Sequence, residues 1–239
     1  MIVEFIGLPA SGKTTIAKHI HLQDSIGNKK VKYPLYNIYK YSWFKRNLFK
    51  SLSVLKYIVV NPYKSFKLYM AIFKTNQSSW ADLIKVYFNY IFLIVNYLKY
   101  KNCDDIILFD EGFLHNMWAI LYASNNKSDS IDLKEFIVNG CLPNIVIKVD
   151  CNAEIIIERL FSRNSNTRIE KEDNIVEKVK NSINEIGHII NSARSITGDF
   201  NIDFFSVDNS KDNDLNIHVE NIISFILERL DNYDRHCNP

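Results

Sequence analysis

Residues 1–15 read MIVEFIGLPASGKTT, and this stretch decides the fold. Met1 to Ile6 is a short apolar run, and Gly7, four further residues and Gly12-Lys13-Thr14 complete the spacing G-x-x-x-x-G-K-[ST]. Glycine at both ends of the loop lets phosphate oxygens approach backbone N–H groups that a Cβ would crowd. The sequence therefore predicts a loop that binds nucleotide phosphates, with a chance glycine-rich turn as the alternative.

The residues that close the loop have separate expected roles. A helix beginning near Lys13 directs its N-terminal amides and positive dipole end at the anion. Lys13 is expected to reach the β and γ phosphates, and the Thr14 hydroxyl is expected to bind Mg²⁺. ATP and Mg²⁺ are the expected cofactors. The predicted nucleotide-binding set in this segment is Gly7, Pro9, Ala10, Ser11, Gly12, Lys13, Thr14 and Thr15.

A second segment, DDIILFDEG at residues 104–112, is typical of the other half of such a site. An apolar strand that ends in Asp110 carries a carboxylate to the edge of the sheet where the phosphate loop also lies. Asp110 is therefore a predicted Mg²⁺ ligand, and Glu111 is a candidate ligand, orienting group or general base. The alternative for both acids is a solvated position at the end of a strand.

Three arginines later in the chain are candidates for stabilising a transferring phosphoryl group. Arg159 and Arg163 are four residues apart and are expected to share one face of a helix, and Arg168 follows in the polar segment SRNSNTRIE. Arginines on a loop that closes over the phosphates would stabilise charge and exclude water. The alternative is a surface group balanced by Glu158 and Glu170.

Apolar runs and amphipathic segments alternate along the chain, which predicts parallel βαβ units. We expect a single domain over residues 1–239 with a three-layer P-loop α/β fold and a mostly parallel sheet. A helical insertion at about residues 29–101 is expected on the acceptor side. Residues 42–100, between the second and third predicted strands, are expected to be helical from Ser42 to Tyr100, with breaks at Asn61-Pro62 and Asn76–Ser79. The predicted strands are Ile2–Ile6, Val31–Ile38, Ile106–Phe109, Ile145–Val149 and the run IDFFSVD.

The stretch from Lys29 to Lys101 differs in composition from the rest of the chain. It has 14 basic residues and one acid, Asp82, and it contains 19 of the 31 aromatic residues. Four interpretations stay open: a site for an anionic acceptor with Lys45 and Arg46, a face for an anionic membrane, a nucleic-acid surface, or a helical cap with packed aromatics and solvated lysines. Nucleic acid is the least favoured partner.

Composition also limits the class of protein. The chain has 239 residues, 47% hydrophobic residues, a net charge of +2 and four cysteines without CxxC pairing, which favours a reduced globular protein. The apolar segment around residues 86–98 is expected to be a buried helix, and the early first strand predicts no signal peptide. The expected location is the cytoplasm, with peripheral contact at the inner membrane face as a further expectation.

Four of the segments described above make the chain resemble P-loop kinases of the nucleoside monophosphate kinase and thymidylate kinase type. The resemblance rests on GLPASGKTT, IILFDEG, VDCNAEIIIERLFSR and FFSVDNSKD, in that order. It implies that Arg159, Arg163 and Arg168 belong to a lid and that residues 207–210, with Asp208, lie near the adenine. The aromatic middle region and DEGFLHNMW also resemble uncharacterised kinase-like proteins of bacterial surface-polysaccharide clusters.

The resemblance implies an ATP-dependent phosphotransferase that acts on a hydroxyl or phosphate of a small anionic or glycan-related acceptor. Thymidylate kinases usually have Asp-Arg-aromatic where this chain has Asp110-Glu111-Gly112, which argues against a nucleotide acceptor. A nucleoside monophosphate kinase and a membrane- or polymer-associated ATPase remain the alternatives. A regulatory GTPase is disfavoured because DNSKD has the wrong order for a guanine-binding element.

Overall fold

The structure is a computed structural model that describes residues 1–125, 136, 142–163, 169, 174–196, 202–211 and 215–237. The strands are β1 (Ile2–Ile6), β2 (Ser25–Ile26), β3 (Lys29–Lys32), β4 (Ile106–Phe109), β5 (Ile145–Asp150) and β6 (Asp203–Asp208). The helices are α1 (Lys13–His21), α2 (Pro34–Tyr39), α3 (Trp43–Val60), α4 (Pro62–Lys74), α5 (Trp80–Tyr100), α6 (Phe113–Tyr122), α7 (Ala153–Phe161), α8 (Ile175–Ile196) and α9 (Leu215–Cys237).

The six strands form one sheet in the order β2-β3-β4-β1-β5-β6. Every neighbouring pair is parallel except the short β2–β3 hairpin. β1 lies between β4 and β5 and is buried along its whole length, as expected for the central strand of a parallel sheet. The predicted α/β fold with a mostly parallel sheet is therefore confirmed.

The strand order places helices on both faces of the sheet. The chain moves from β1 to β3 in one direction along the sheet and from β3 through β4 and β5 to β6 in the other. Because parallel crossovers are right-handed, α1 lies on one face and α5 to α8 lie on the opposite face. Contacts between α1 and α9, and along the series α5, α6, α8 and α7, agree with these three layers.

The predicted strand Val31–Ile38 is correct only for Val31 and Lys32 and is wrong from Tyr33 onward. β3 ends at Lys32, and Pro34 begins α2 at the first helical position. Proline suits that position because its fixed φ is helical and its missing N–H has no intrahelical acceptor there. The basic stretch from residue 29 therefore begins as part of the sheet, and its helical part begins at Pro34.

The two predicted breaks in the long helical region are confirmed. Asn61 leaves the helical conformation at φ −128°, and Pro62 begins α4. Ser79 caps α5 by accepting a hydrogen bond from the Asp82 amide at 3.1 Å. The insertion is thus a three-helix unit of α3, α4 and α5 that pack against one another.

Among the described residues, α5 is the one helix whose length and composition would allow it to cross a membrane, with a mean hydropathy of 1.2 in its most apolar window. Half of that window is buried inside the protein. Tyr90, Ile91 and Tyr97 of this helix belong to the hydrophobic core. This burial is the behaviour of a core helix, as the sequence predicts.

Candidate active site

The loop that the sequence predicts to bind phosphate, residues 7–14, has a backbone that only glycine fits at its two ends. A Cβ on Gly7 would lie 2.5 Å from the carbonyl oxygen of Val149. Gly12 has φ +101°, and a Cβ there would lie 2.1 Å from Nδ2 of Asn209. Gly7 is therefore required by the close approach of the Val149 backbone, and Gly12 by its left-handed conformation and by the Asn209 side chain that lies against it.

Between the glycines the chain forms a tight turn. The Ser11 amide donates to the Leu8 carbonyl at 3.1 Å, and both residues are buried. Ala10 is also buried and has φ +69°, which is unusual for a residue with a side chain. Pro9 is half-buried, and Thr15 is exposed on the first turn of α1.

Lys13 lies inside the loop. Its Nζ donates to the carbonyl oxygens of Gly7 at 2.8 Å and Leu8 at 2.9 Å. Burial lowers the pKa of Lys13 to about 8, against the opposing charges of Glu111 and Asp110. An anion bound in this loop would compensate the buried ammonium group, so the loop is electrostatically prepared for phosphate.

The phosphate loop and the end of β4 meet through Thr14 and Asp110. The Thr14 hydroxyl donates to Oδ2 of Asp110 at 2.8 Å. Asp110 is 2% exposed, and its Oδ1 is buried with no hydrogen-bond partner among the described residues. A buried carboxylate oxygen beside a hydroxyl oxygen is a donor set that fits Mg²⁺.

The described residues contain no group of three or more His, Cys, Asp and Glu placed to hold a metal ion. This does not conflict with Mg²⁺, which is usually held by one or two protein oxygens together with substrate phosphates and water. Thr14 and Asp110 are therefore the residues that would hold the ion.

Asn209, within the segment 207–210 that the resemblance places near the adenine, joins the end of β6 to the predicted phosphate loop, a contact that the sequence does not indicate. Its buried Nδ2 donates to the Ser11 carbonyl at 2.8 Å, and the same atom lies where a Cβ on Gly12 would be. The neighbouring Asp208 is exposed and accepts a hydrogen bond from the Ser210 amide at 3.1 Å. The two residues thus face different ways, and Asn209 is the one that contacts the loop.

The expected shared helix face of Arg159 and Arg163 is wrong. α7 ends at Phe161, and Ser162 is its C-cap, so Arg163 lies beyond the helix. The Arg163 amide still reaches the Leu160 carbonyl at 3.3 Å, which makes a tighter last turn. The following Ser and Asn residues favour turns over helix continuation.

The arginines occupy different environments. The half-buried Arg159 donates from Nη1 to the Asn209 carbonyl at 3.2 Å. Arg163 is exposed, yet close enough to Lys13 that its charge contributes to the lowered pKa of that lysine. Arg168 lies outside the described residues. Arg159 thus contacts the β6 end of the site, whereas the charge of Arg163 acts on Lys13 in the loop.

Glu4, the single charged residue of β1, is a buried carboxyl group beside the N-terminus of α6. It accepts hydrogen bonds from the His115 amide and the Tyr97 hydroxyl, each at 3.1 Å. A Cβ on Gly112 would lie 2.2 Å from the Glu4 carboxyl carbon. Glu4 therefore caps the N-terminus of α6 and fixes the turn that follows Asp110.

A cleft of about 380 Å³ opens beside Glu111. It lies between α2, α3, α5 and the start of α6. Its lining combines apolar, amide and charged side chains: Leu35, Ile38, Arg46, Asn47, Lys50, Asn89, Phe92, Leu93, Glu111 and Asn116. The basic helical unit thus forms one wall, and the acidic turn after β4 forms another.

The cations of the cleft come from one face of α3. Arg46 and Lys50 are four residues apart and line the same cavity, whereas the neighbouring Lys45 is exposed. Lys50 donates to Oδ1 of Asn89, and burial lowers the pKa of Lys50 against the opposing charge of Glu111. An anionic group in the cleft would compensate these charges.

His115 and Trp118 follow the turn after Asp110, and both are buried in α6. Their rings lie 5.3 Å apart. Burial, with a smaller contribution from the charge of Lys13, holds the pKa of His115 well below its usual range. His115 is therefore a neutral imidazole in the core behind the phosphate loop.

No known protein-family profile matches the chain, and no curated protein matches it. Among solved structures, the chain is similar to deoxyadenosine kinase from M. mycoides with the products dCMP and a flexible dCDP, at 16% identity and a TM-score of 0.49, covering 97% of this chain and 100% of that chain. Structures of the same kinase with dATP and with dCTP match over the same shares, at 18% and 15% identity and TM-scores of 0.49 and 0.44.

Proposed function

We propose that this protein is an ATP-dependent phosphotransferase that moves the γ-phosphoryl group to an oxygen of a small acceptor. The observation that carries the proposal is the hydrogen bond from Thr14 to Asp110. It joins the phosphate loop and the strand-end carboxylate at the edge of the sheet where P-loop enzymes bind nucleotide and Mg²⁺.

The nucleotide side of the reaction is built on the loop and α1. Backbone N–H groups at the end of the loop and in the first turn of α1 bind the phosphates, and Lys13 exchanges its two loop carbonyls for phosphate oxygens. Thr14 and Asp110 are the residues that would hold Mg²⁺, which would supply positive charge to the transferring phosphate. Of the three arginines that the resemblance assigns to a lid, Arg163 would add its positive charge close to Lys13.

The acceptor side of the reaction is the cleft beside Glu111. Glu111 follows the metal-binding Asp110 directly, so an acceptor hydroxyl in the cleft lies close to the γ-phosphoryl group. In the transfer, the acceptor oxygen forms a bond to phosphorus as the bond to the ADP oxygen breaks. Glu111 takes the hydroxyl proton as the candidate general base.

Charge in the cleft favours an acceptor that carries an anionic group as well as a hydroxyl. Arg46 and Lys50 lie on the α3 wall, and Glu111 lies at the turn. An acceptor phosphate or carboxylate near the two cations would direct its hydroxyl toward Glu111. The amides of Asn47, Asn89 and Asn116 suit the hydroxyl groups of a sugar or polyol.

The test is ADP release from MgATP in the presence of sugar phosphates, polyol phosphates, nucleosides and nucleoside monophosphates, with product identification by mass. We expect one acceptor class to stimulate turnover, Lys13→Ala to abolish it, and Arg46→Ala to raise the KM for the acceptor by roughly tenfold or more. Stimulation by nucleoside monophosphates alone would instead assign a nucleoside monophosphate kinase. ATP hydrolysis without any phosphorylated product would refute the transferase proposal.

A further inference from the structure

The outer faces of α3 and α4 expose two apolar stripes. Helical spacing of three and four residues places each stripe on one side of its helix. All these side chains are exposed, and they are neighbours on each helix. Each stripe is therefore a continuous apolar surface, unlike the singly scattered apolar residues of an ordinary protein surface. The α3 stripe is Phe44, Leu48, Leu52, Leu55 and Val59, and the α4 stripe is Tyr63, Phe66, Met70 and Phe73.

These stripes are additional to the faces that hold the unit together. Val54 and Tyr57 of α3, and Leu68 and Ile72 of α4, are buried in the contacts among α3, α4 and α5. Each helix therefore has one apolar face toward the protein and a second toward solvent. Packing of the core explains the first face and leaves the second unexplained.

Lysines flank the exposed stripes, and acids are almost absent. The exposed lysines on these helices are Lys45, Lys56, Lys64, Lys67 and Lys74. From residue 43 to residue 100 the chain contains one acid, Asp82, whose carboxylate caps the start of α5 with Ser79 and Ser78. The outer surface of α3 and α4, which we call the outer face, is thus apolar and positively charged together.

We propose that the outer face binds the surface of an anionic lipid bilayer. Apolar side chains on two helices that lie side by side can enter the headgroup region, while lysines extend to the lipid phosphates. Each basic residue near such a surface adds to binding through the negative surface potential. The proposal does not depend on phosphotransferase activity.

Charge also argues against two other occupants. A two-fold dimer through the outer face would bring the same lysines together with one acid per copy, which is unfavourable. Nucleic acid would pair with the lysines but would leave Leu52, Leu55 and Val59 without apolar contacts. An anionic bilayer satisfies both the lysines and the aliphatic side chains.

The location of the outer face connects it with the cleft. Arg46 and Lys50 of α3 line the cleft, and Phe44 and Leu48 of the same helix belong to the apolar stripe. A helix is about 10–12 Å across with its side chains. A bilayer on the outer face would therefore lie about one helix diameter from the cleft.

Two exposed tryptophans near the outer face provide an intrinsic probe of this binding: Trp43 is the first residue of α3, and the Trp80 ring lies 6.2 Å from that of Phe73 in the α4 stripe. Trp43 is 71% exposed and Trp80 is 69% exposed, whereas Trp118 is 5% exposed in the core. Vesicles that carry brominated lipid tails should quench the first two tryptophans and leave the third unaffected. The double variant Trp43→Phe/Trp80→Phe retains Trp118 as an internal reference and should lose the quenching.

The experiment is flotation and tryptophan quenching with vesicles of phosphatidylcholine alone and with about 30% phosphatidylglycerol added. We expect binding to the anionic vesicles, loss of binding in about 0.5 M NaCl, and partition at least about tenfold lower for Leu52→Gln/Leu55→Gln and for Lys56→Gln/Lys64→Gln. Ile217→Gln, on the exposed side of α9, is the matched control and should bind as the unchanged protein does.

Failure of the protein to bind anionic vesicles would overturn the proposal, as would equal binding to neutral vesicles. Concentration-dependent dimerisation that Leu52→Gln/Leu55→Gln abolishes, without vesicle binding, would assign the outer face to a second copy of the chain. Salt-sensitive binding of single-stranded DNA in place of vesicles would assign it to nucleic acid. All the variants change exposed side chains, and circular dichroism checks that each one folds.

Discussion

The buried carboxylate of Glu4 makes the stability of this protein depend on pH in a calculable way. Glu4 is wholly buried, and burial raises its pKa from 4.5 to about 7. Hydrogen bonds from the amides at the start of α6 and from Tyr97 act in the opposite direction and are outweighed. Glu4 therefore retains its proton in the folded state over a pH range in which the unfolded chain has lost it.

The sign follows from proton counting. Below pH 4.5 both states are protonated and Glu4 contributes no pH dependence. Between pH 4.5 and 7 the folded state binds more protons, so stability falls as the pH rises, and the loss is complete above pH 7. A shift of this size corresponds to about 2.5 kcal/mol of unfolding free energy lost between pH 5 and pH 8.

The assay is urea denaturation of the unchanged protein and Glu4→Gln at several pH values from 5 to 8. The glutamine retains an acceptor oxygen for the α6 amides and cannot ionise, so the stability difference between the two proteins should change by about 2.5 kcal/mol over this range. Other titrating groups occur in both proteins and cancel in the difference.

Glu220→Gln is the matched control, because Glu220 is an exposed carboxylate in α9. Its stability difference from the unchanged protein should stay within about 0.5 kcal/mol at every pH tested. A flat difference for Glu4→Gln would refute the reasoning, since it would mean that Glu4 ionises as easily in the folded state as in the unfolded chain.

Three further predictions concern the phosphate loop. Asp110→Asn retains an acceptor for Thr14 but loses the charge, so phosphoryl transfer should fall by roughly 100-fold while ATP binding without Mg²⁺, measured by titration calorimetry, changes little. Asn209→Ala leaves the buried Ser11 carbonyl without its donor and should lower stability by about 1–3 kcal/mol in urea denaturation. Gly12→Ala should weaken ATP binding and lower the melting temperature because its Cβ meets Asn209 at φ +101°, and combining it with Asn209→Ala should cost less than the sum of the two changes; strict additivity would contradict the contact.

Local spacing along the chain was sufficient for the segments whose conformation is decided locally. The glycine spacing of residues 7–14 predicts the loop, and Pro62 and Ser79 mark where helices begin. The exception is Pro34, which begins α2 although it falls inside the predicted strand Val31–Ile38, a strand that the proline already weakens. Proline fits both an edge strand and a first helical turn, and packing of α2 against β4 decided between them.

The turn at Asp110 and Glu111 shows which part of the candidate site can be predicted from the sequence. Asp110 was predicted from an apolar strand that ends in a carboxylate, because carboxyl ends of parallel strands share one edge of the sheet. The hydrogen bond to Thr14 required β4 to be the direct neighbour of β1, which is a property of the strand order. The sequence contains no signal for that order, since several orders satisfy the same alternation of strands and helices.

The sequence by itself thus determined the glycine-rich loop, the strand that ends in Asp110 and the starts of α4 and α5, because each depends on residues a few positions apart. The tertiary structure alone decided that Glu4 caps α6 across 111 residues and that Asn209 holds the loop across 198 residues. It also placed Arg46 and Lys50 in a cleft with Glu111. Such contacts join segments that meet only when the sheet is assembled. The residues next to a polar side chain such as Glu4 therefore do not indicate which distant group it will contact.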